Sequence, residues 1–300
     1  MNRRHAYIYL ILLVASVFIL TFPAIAHSDK NELLIGLIPE ENIFKQMRRH
    51  KSLAEYLSKH MGIKVRFTVL SRYPHIITRF QKRGMDGAFF GIFTSVLAEE
   101  SLGVEPIARA INLKGSSTAR AYVFTRKDNG IKDIKSMRNK RAVFVDQVTA
   151  TGYLYLIALL GDNGIRDFRG YFDSYTFTGS HESAIYAVLS EQADVGVVKG
   201  RILDRLSEKD PLIRDSLVII NKSEELPDNT LYLKATLPIE TKLKMQQTLL
   251  HMHEDPEGKR ALEKFEALKF IEATKADFNP VRALARKANI DIKHFRYEDN

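Results

Sequence analysis

Cysteine does not occur in this chain. That excludes disulfides, a thiolate metal site, a cysteine nucleophile and lipidation of a cysteine after signal cleavage. Catalytic signatures are missing too: there is no G-x-S-x-G elbow, no P-loop and no G-x-G-x-x-G, the spacings that mark a strained nucleophile or a nucleotide phosphate. His181-Glu182 lacks a second histidine four residues after the first, so it is not the zinc-protease pattern. His251 and His253 stand two apart and would point to opposite sides of a helix. Asp128-Asn129-Gly130 reads as a turn rather than a calcium loop. Neither a catalytic residue, a metal site nor a cofactor is expected. The composition gives no sign of disorder, collagen or a repeat array, and beyond residue 22 charges interrupt every apolar run well short of a membrane span.

What is present is a chain of 300 residues, 45% hydrophobic, enough to bury a large core divided between two lobes. The net charge of +9 comes from Lys and Arg interleaved with acids. RNKR at 138–141 and MRRHK at 47–51 read as solvated faces, so no nucleic-acid partner is expected; the balance suits an anionic ligand without identifying one. The N-terminus has the form of an export signal: Arg3 and Arg4, an apolar run over 6–22, then PAIA at 23–26. Cleavage after Ala26 is expected, although an apolar run of about 17 residues would also serve as an uncleaved anchor.

Taken in order, residues 33–38 (LLIGLI) form a buried strand stopped by Pro39, 42–61 a helix ended by Gly62, and 63–70 an alternating strand. A helix over 75–82, a strand over 86–91 (DGAFFG), a helix over 94–102 and a strand over 106–111 complete a βαβαβαβ series. Such alternation calls for an open parallel sheet covered by helices. KGSST at 114–118 reads as a crossover. After a strand at 121–125, a second series follows: strands at 142–145, 175–177, 194–198 and 217–220, with helices from 151, over 182–192 and over 202–207. NKSEELPDN at 221–229 reads as a second crossover, and the remainder as helices over 240–253, 256–270 and 280–289. Two crossings predict one lobe from residues 31–118 plus 228–300 and another from 119–227. Ligands of open α/β sheets bind beyond the carboxyl ends of the strands, and hinge closure around a ligand between two such lobes follows naturally.

Residues 146–160, DQVTATGYLYLIALL, join a short apolar strand to an apolar helix through Thr149, Ala150, Thr151 and Gly152. Free amides at a helix start, flanked by hydroxyls, suit a small anion, and glycine would let it approach the backbone. Read alone, Thr149 or Thr151 is as readily a helix cap. Ser116 and Ser117 lie in a crossover and either donate to the same cleft or serve as a flexible hinge.

In sequence order, YPHIITRFQKRGMDGAFFG, DQVTATG, GSHESAIYAVLSEQADVGVV, ELPDN and DFNPVRALA resemble the PhnD-like phosphate/phosphite/phosphonate-binding proteins of ABC transporters. The resemblance spans nearly all of the chain after the signal. It implies the type II periplasmic binding fold: two α/β lobes, each a mostly parallel sheet flanked by helices, joined by two hinge crossovers. It implies a site built from Thr149, Ala150, Thr151 and Gly152, with Phe90-Gly91 in place of the common Tyr-Gly, His181 of the G-x-H element, Tyr122 and Tyr73. Ala150 and Phe90 each lack a hydroxyl the family pattern carries. Arg201 and Asn229 (or its neighbour Asp228) align where members binding aminoalkylphosphonates carry acids, and an arginine there implies a more purely anionic ligand. The implied role is capture of phosphate, phosphite or phosphonate by a periplasmic, monomeric protein that delivers it to an ABC permease. The alternative is a ligand sensor feeding a membrane partner such as a histidine kinase. If His181 binds as imidazolium, affinity falls as pH rises through its titration range.

Overall fold

The computed structural model describes residues 32–40, 42–70 and 76–297; the expected signal over 1–26 and Tyr73 lie outside the described residues. Strand β1 (Glu32–Leu37) is the apolar run that was expected, its last three residues fully buried. Helix α1 (Ile43–Met61) is capped by Asn42, whose side chain accepts from the Phe44 and Lys45 amides, and stops at Gly62 in the left-handed region. The series continues through β2 (Lys64–Val69), α2 (Ile76–Lys82), β3 (Gly87–Phe90), α3 (Ile92–Leu102) and β4 (Val104–Asn112). The chain crosses through β5 (Thr118–Ala119). It then builds β6 (Ala121–Arg126), β7 (Arg141–Phe144), a π-helical turn (Ala150–Leu154) running into α4 (Tyr155–Asp162), and β8 (Ser174–Phe177). Helix α5 (His181–Leu189), β9 (Val195–Lys199), α6 (Gly200–Lys209), α7 (Pro211–Ser216) and β10 (Leu217–Lys222) follow. The return is β11 (Leu226–Pro227) and β12 (Thr230–Lys234), then α8 (Ile239–His251), α9 (Pro256–Phe265), β13 (Ala267–Glu272) and α10 (Asn279–Lys287).

The result is the two-lobed α/β arrangement expected from the alternation, with mixed sheets. One sheet has the order β13-β4-β12-β3-β1-β2 and the other β10-β6-β9-β7-β8. β1 runs parallel to β2 and β3, and β12 lies antiparallel between β3 and β4. β1 to β4 therefore share one direction. In the second sheet β7 is parallel to β8 and β9, while β6 lies antiparallel between β9 and β10. In each sheet the strand that follows a crossing is inserted antiparallel to both its neighbours, and in the first sheet the edge strand β13 also runs antiparallel to β4. The crossings themselves pair as an antiparallel ribbon, β5 with β11.

Beyond residue 229 the sequence pattern predicts only helices, and two strands, β12 and β13, correct it. Leu231, Tyr232 and Leu233 are at most 1% exposed, as a strand covered on both faces must be, and a short apolar run does not reveal its own period. Helix α9 stops at Glu266, which takes a left-handed φ of 63°, and the segment expected to extend it to 270 pairs instead with β4. One apolar cluster lies between the first sheet and α1, α8 and α9, through Leu33, Tyr56, Phe89, Met245 and Phe270. A second backs the other sheet through Phe144, Leu156 and Val197. The largest is continuous from Phe90 and Phe93 of one lobe to Val143, Leu154 and Ile185 of the other.

Candidate ligand-binding cleft

Three helix N-termini without side-chain caps meet between the lobes: α3 at Gly91, the π turn at Thr149 and α6 at Lys199. A small cavity of about 10 Å³ is lined by Gly91, Ile92 and Thr94 from one lobe, by Thr149, Ala150, Thr151, His181 and Lys199 from the other, and by Glu40 and Asn229. Each N-terminus presents the positive end of a peptide dipole, so the convergence favours negative charge; at α6 the Gly200 amide is already taken by the Arg120 carbonyl at 2.8 Å. Space for about one water means that a tetrahedral oxyanion is admitted only when the walls part.

Within the π turn the first internal bond runs from the Leu154 amide to the Thr149 carbonyl at 3.0 Å. The amides of Ala150 and Thr151 precede it at the cavity wall and are the ones available to a ligand. The Thr149 hydroxyl donates to the Asp146 carbonyl at 2.6 Å, so its proton is committed and the expected second hydroxyl donor is lost. Thr151 is buried at the cavity wall, and its hydroxyl makes no hydrogen bond among the described residues. Gly152 answers to packing rather than to ligand approach: a Cβ there would stand 2.5 Å from Val145, and Gly152 does not line the cavity.

His181, 2% exposed, begins α5, and its Nδ1 accepts the Lys199 backbone N–H at 3.0 Å. The remaining proton therefore sits on Nε2. Burial first, and then the Lys199 charge, push the imidazole down to about 3. A neutral donor replaces the imidazolium considered from sequence.

Beside it lies a closed ring of alternating charge. Lys199, 2% exposed, holds Glu40 through Oε1, Asp228 Oδ1 at 3.0 Å and Asn229 Oδ1 at 2.9 Å. Arg201 takes the other oxygens, Glu40 Oε2 at 3.0 Å and Asp228 Oδ2 at 2.9 Å. Burial alone would raise the Glu40 carboxyl, but Lys199 and Arg201 outweigh it and hold it well below the usual range; Asp228 is lowered for the same reason, with Arg201 leading. Arg201 is thus bound to acids, and it faces a second cavity of about 70 Å³ shared with Glu40, Gln46, Asp228 and Asn229. Asn229 lines both cavities.

Other expected site residues lie elsewhere. Strand alternation turns Phe90 into the core, 0% exposed against Phe80 and Tyr232, while Phe89 faces the second cavity. Gly91 does line the site, pressed so close to Ile38 that a Cβ would meet it at 2.6 Å. Tyr122 packs under Gly200, its hydroxyl 3.4 Å from Asp204, and lines neither cavity. Ser116 is spent in its own turn, accepting the Thr118 amide at 3.0 Å. Glu40 and Lys199 were missed by the sequence reading, though VGVVK carried a signal: one cation closing an apolar strand at its carboxyl end. Among the described residues one group, His60, Asp255 and Glu257, gathers potential metal-ligand atoms. Asp255 there caps the Glu257 and Gly258 amides of α9, and Lys59 pairs with Glu257 at 2.5 Å.

Residues 35–278 match the family model described as ABC transporter, phosphonate, periplasmic substrate-binding protein. The Phosphonates-binding periplasmic protein of Escherichia coli is 24% identical over 277 residues, 90% of this chain and 80% of that one. A probable ABC transporter phosphite binding protein of Prochlorococcus marinus is 23% identical over 93% of this chain and 97% of its own. Among solved structures, PhnD1 of Prochlorococcus marinus in complex with methylphosphonate superposes with a TM-score of 0.76 at 21% identity, covering 86% of this chain and 98% of that one. No helix among the described residues is long and apolar enough to cross a membrane.

Proposed function

This chain belongs to the family of periplasmic substrate-binding proteins of phosphonate ABC transporters, and from that premise we propose that it captures a phosphorus oxyanion (phosphate, phosphite or a phosphonate) in the cleft and closes over it. The observation that carries the reading is the convergence of three uncapped helix N-termini, at Gly91, Thr149 and Lys199, on one buried cavity. The amides of Ala150 and Thr151, the Thr151 hydroxyl and the neutral His181 Nε2–H supply donors to the anion. Lobes of residues 31–118 plus 228–300 and of 119–227 hinge about the β5–β11 ribbon, and the closed form is what an ABC permease receives. The protein does no chemistry of its own and acts as a monomer, exported by a signal cleaved after Ala26.

A thermal-shift panel of phosphate, phosphite and methylphosphonate tests this, because a ligand bound only by the native state raises the melting temperature. Small-angle scattering should show a smaller radius of gyration with the anion that gives the shift. If no anion in the panel shifts the protein, the oxyanion reading fails.

A further inference from the structure

An ammonium group carries three N–H donors, and Lys199 Nζ meets three oxygens: one each from Glu40, Asp228 and Asn229. Two of these are carboxylates buried to within 8% of complete exclusion from solvent. Nothing about strand pairing requires them there. Glu40 lies just beyond β1, Asp228 and Asn229 just before β12, and the lysine reaches them from the sheet of the other lobe. The group is an ammonium receptor at the boundary of the two cavities, and the chain fills it with its own side chain. The charges also close. Lys199 and Arg201 balance Glu40 and Asp228, and each carboxylate gives one oxygen to each cation.

We propose that Lys199 is a specificity-determining residue, a tethered ammonium that keeps the cleft for oxyanions carrying no cationic substituent. A ligand bringing its own ammonium finds the receptor taken, and would add a positive charge to a water-poor site where the remaining carboxylate of the second cavity, Glu266, already pairs with Arg49 and Arg205. With the lysine ammonium removed, Glu40, Asp228 and Asn229 become a vacant site for a small primary ammonium, free or attached to a phosphonate. The selectivity half rests on the oxyanion reading above; the receptor half does not.

Two variants and two readouts separate these halves. Lys199→Ala removes the ammonium and its stem, whereas Lys199→Met removes the charge and keeps the bulk. Thermal unfolding is followed with ethylammonium chloride, tetramethylammonium chloride or sodium chloride at equal ionic strength. Lys199→Ala should be destabilised and recover saturably with ethylammonium alone, since tetramethylammonium has no N–H; Lys199→Met and wild type should not respond. Lys199→Ala that folds and ignores ethylammonium overturns the receptor. Calorimetry with methylphosphonate, aminomethylphosphonate and 2-aminoethylphosphonate reads selectivity. Wild type should prefer methylphosphonate by at least about tenfold, the value of one charge-assisted hydrogen bond, and Lys199→Ala should shift toward the amines. Wild type that binds an aminophosphonate as tightly as methylphosphonate overturns the proposal even if no variant folds. Wild type that binds none of the three, nor phosphate or phosphite, with ethylammonium rescue intact, sinks the oxyanion reading and leaves the receptor standing.

Discussion

Replacing Gly152 with alanine separates two explanations of that glycine. If it exists to let a ligand reach the backbone, Gly152→Ala keeps its stability and loses anion binding. The geometry argues otherwise. The new Cβ would lie 2.5 Å from both Cβ and Cγ2 of Val145 and 2.7 Å from the Thr149 hydroxyl, against a carbon contact distance of about 3.5–4.0 Å. Either the π turn lifts from β7 by roughly 1 Å or Val145 moves within a core where it is 0% exposed. Overpacking of this kind costs about 1–3 kcal/mol. Alanine's better helix propensity returns at most about 1 kcal/mol, so the net loss should be about 1–2 kcal/mol. That corresponds to a melting point lower by roughly 2–8 °C. Gly152→Val should lose more, because its larger side chain meets the same wall. Thermal unfolding without ligand reads the stability, and calorimetric titration with methylphosphonate reads the site. A Gly152→Ala protein with the wild-type melting point and a selective loss of binding would refute the packing explanation.

Further predictions concern the same loop and its neighbours. Thr151→Val removes a buried hydroxyl without changing shape; it should leave unfolding unchanged and weaken oxyanion binding by about 10- to 100-fold, one hydrogen bond to a charged acceptor, as measured by calorimetry. Because His181 is neutral, the ratio of wild-type to His181→Asn affinity should stay constant between about pH 5 and 8; a ratio that falls through the ordinary imidazole range restores the imidazolium. Asp146, at the end of β7, is pushed up by burial to about 6 from 3.8. Its folded-state value is raised, so the stability it contributes is fully present below about pH 4 and lost as pH rises through about 6. Over that window wild type should lose up to about 3 kcal/mol relative to Asp146→Asn, seen in urea unfolding at pH 4 and 7; parallel profiles would show that Asp146 titrates normally.

Local pattern determined much of this protein. The apolar strand runs, the glycine stops at Gly62 and Gly103, the two polar crossings and the loop at 149–152 all follow from residues within a few positions of one another, because helix and strand periods are short-range properties. The ordered motifs carried the family resemblance for the same reason. Tertiary structure decided what depends on distant pairing. Whether residues 230–234 and 267–272 become strands depends on the open edges that β3 and β4 offer them, not on their own spacing. Phe90 and Phe89 are equally apolar in sequence, and strand register alone sends one to the core and the other to a cavity. Glu40 and Lys199 stand 159 residues apart, yet their buried charges require each other, and burial, then the Lys199 charge, keeps His181 beside them neutral. The sequence located where an anion would be received; only the folded chain put a lysine ammonium among the oxygens next to it.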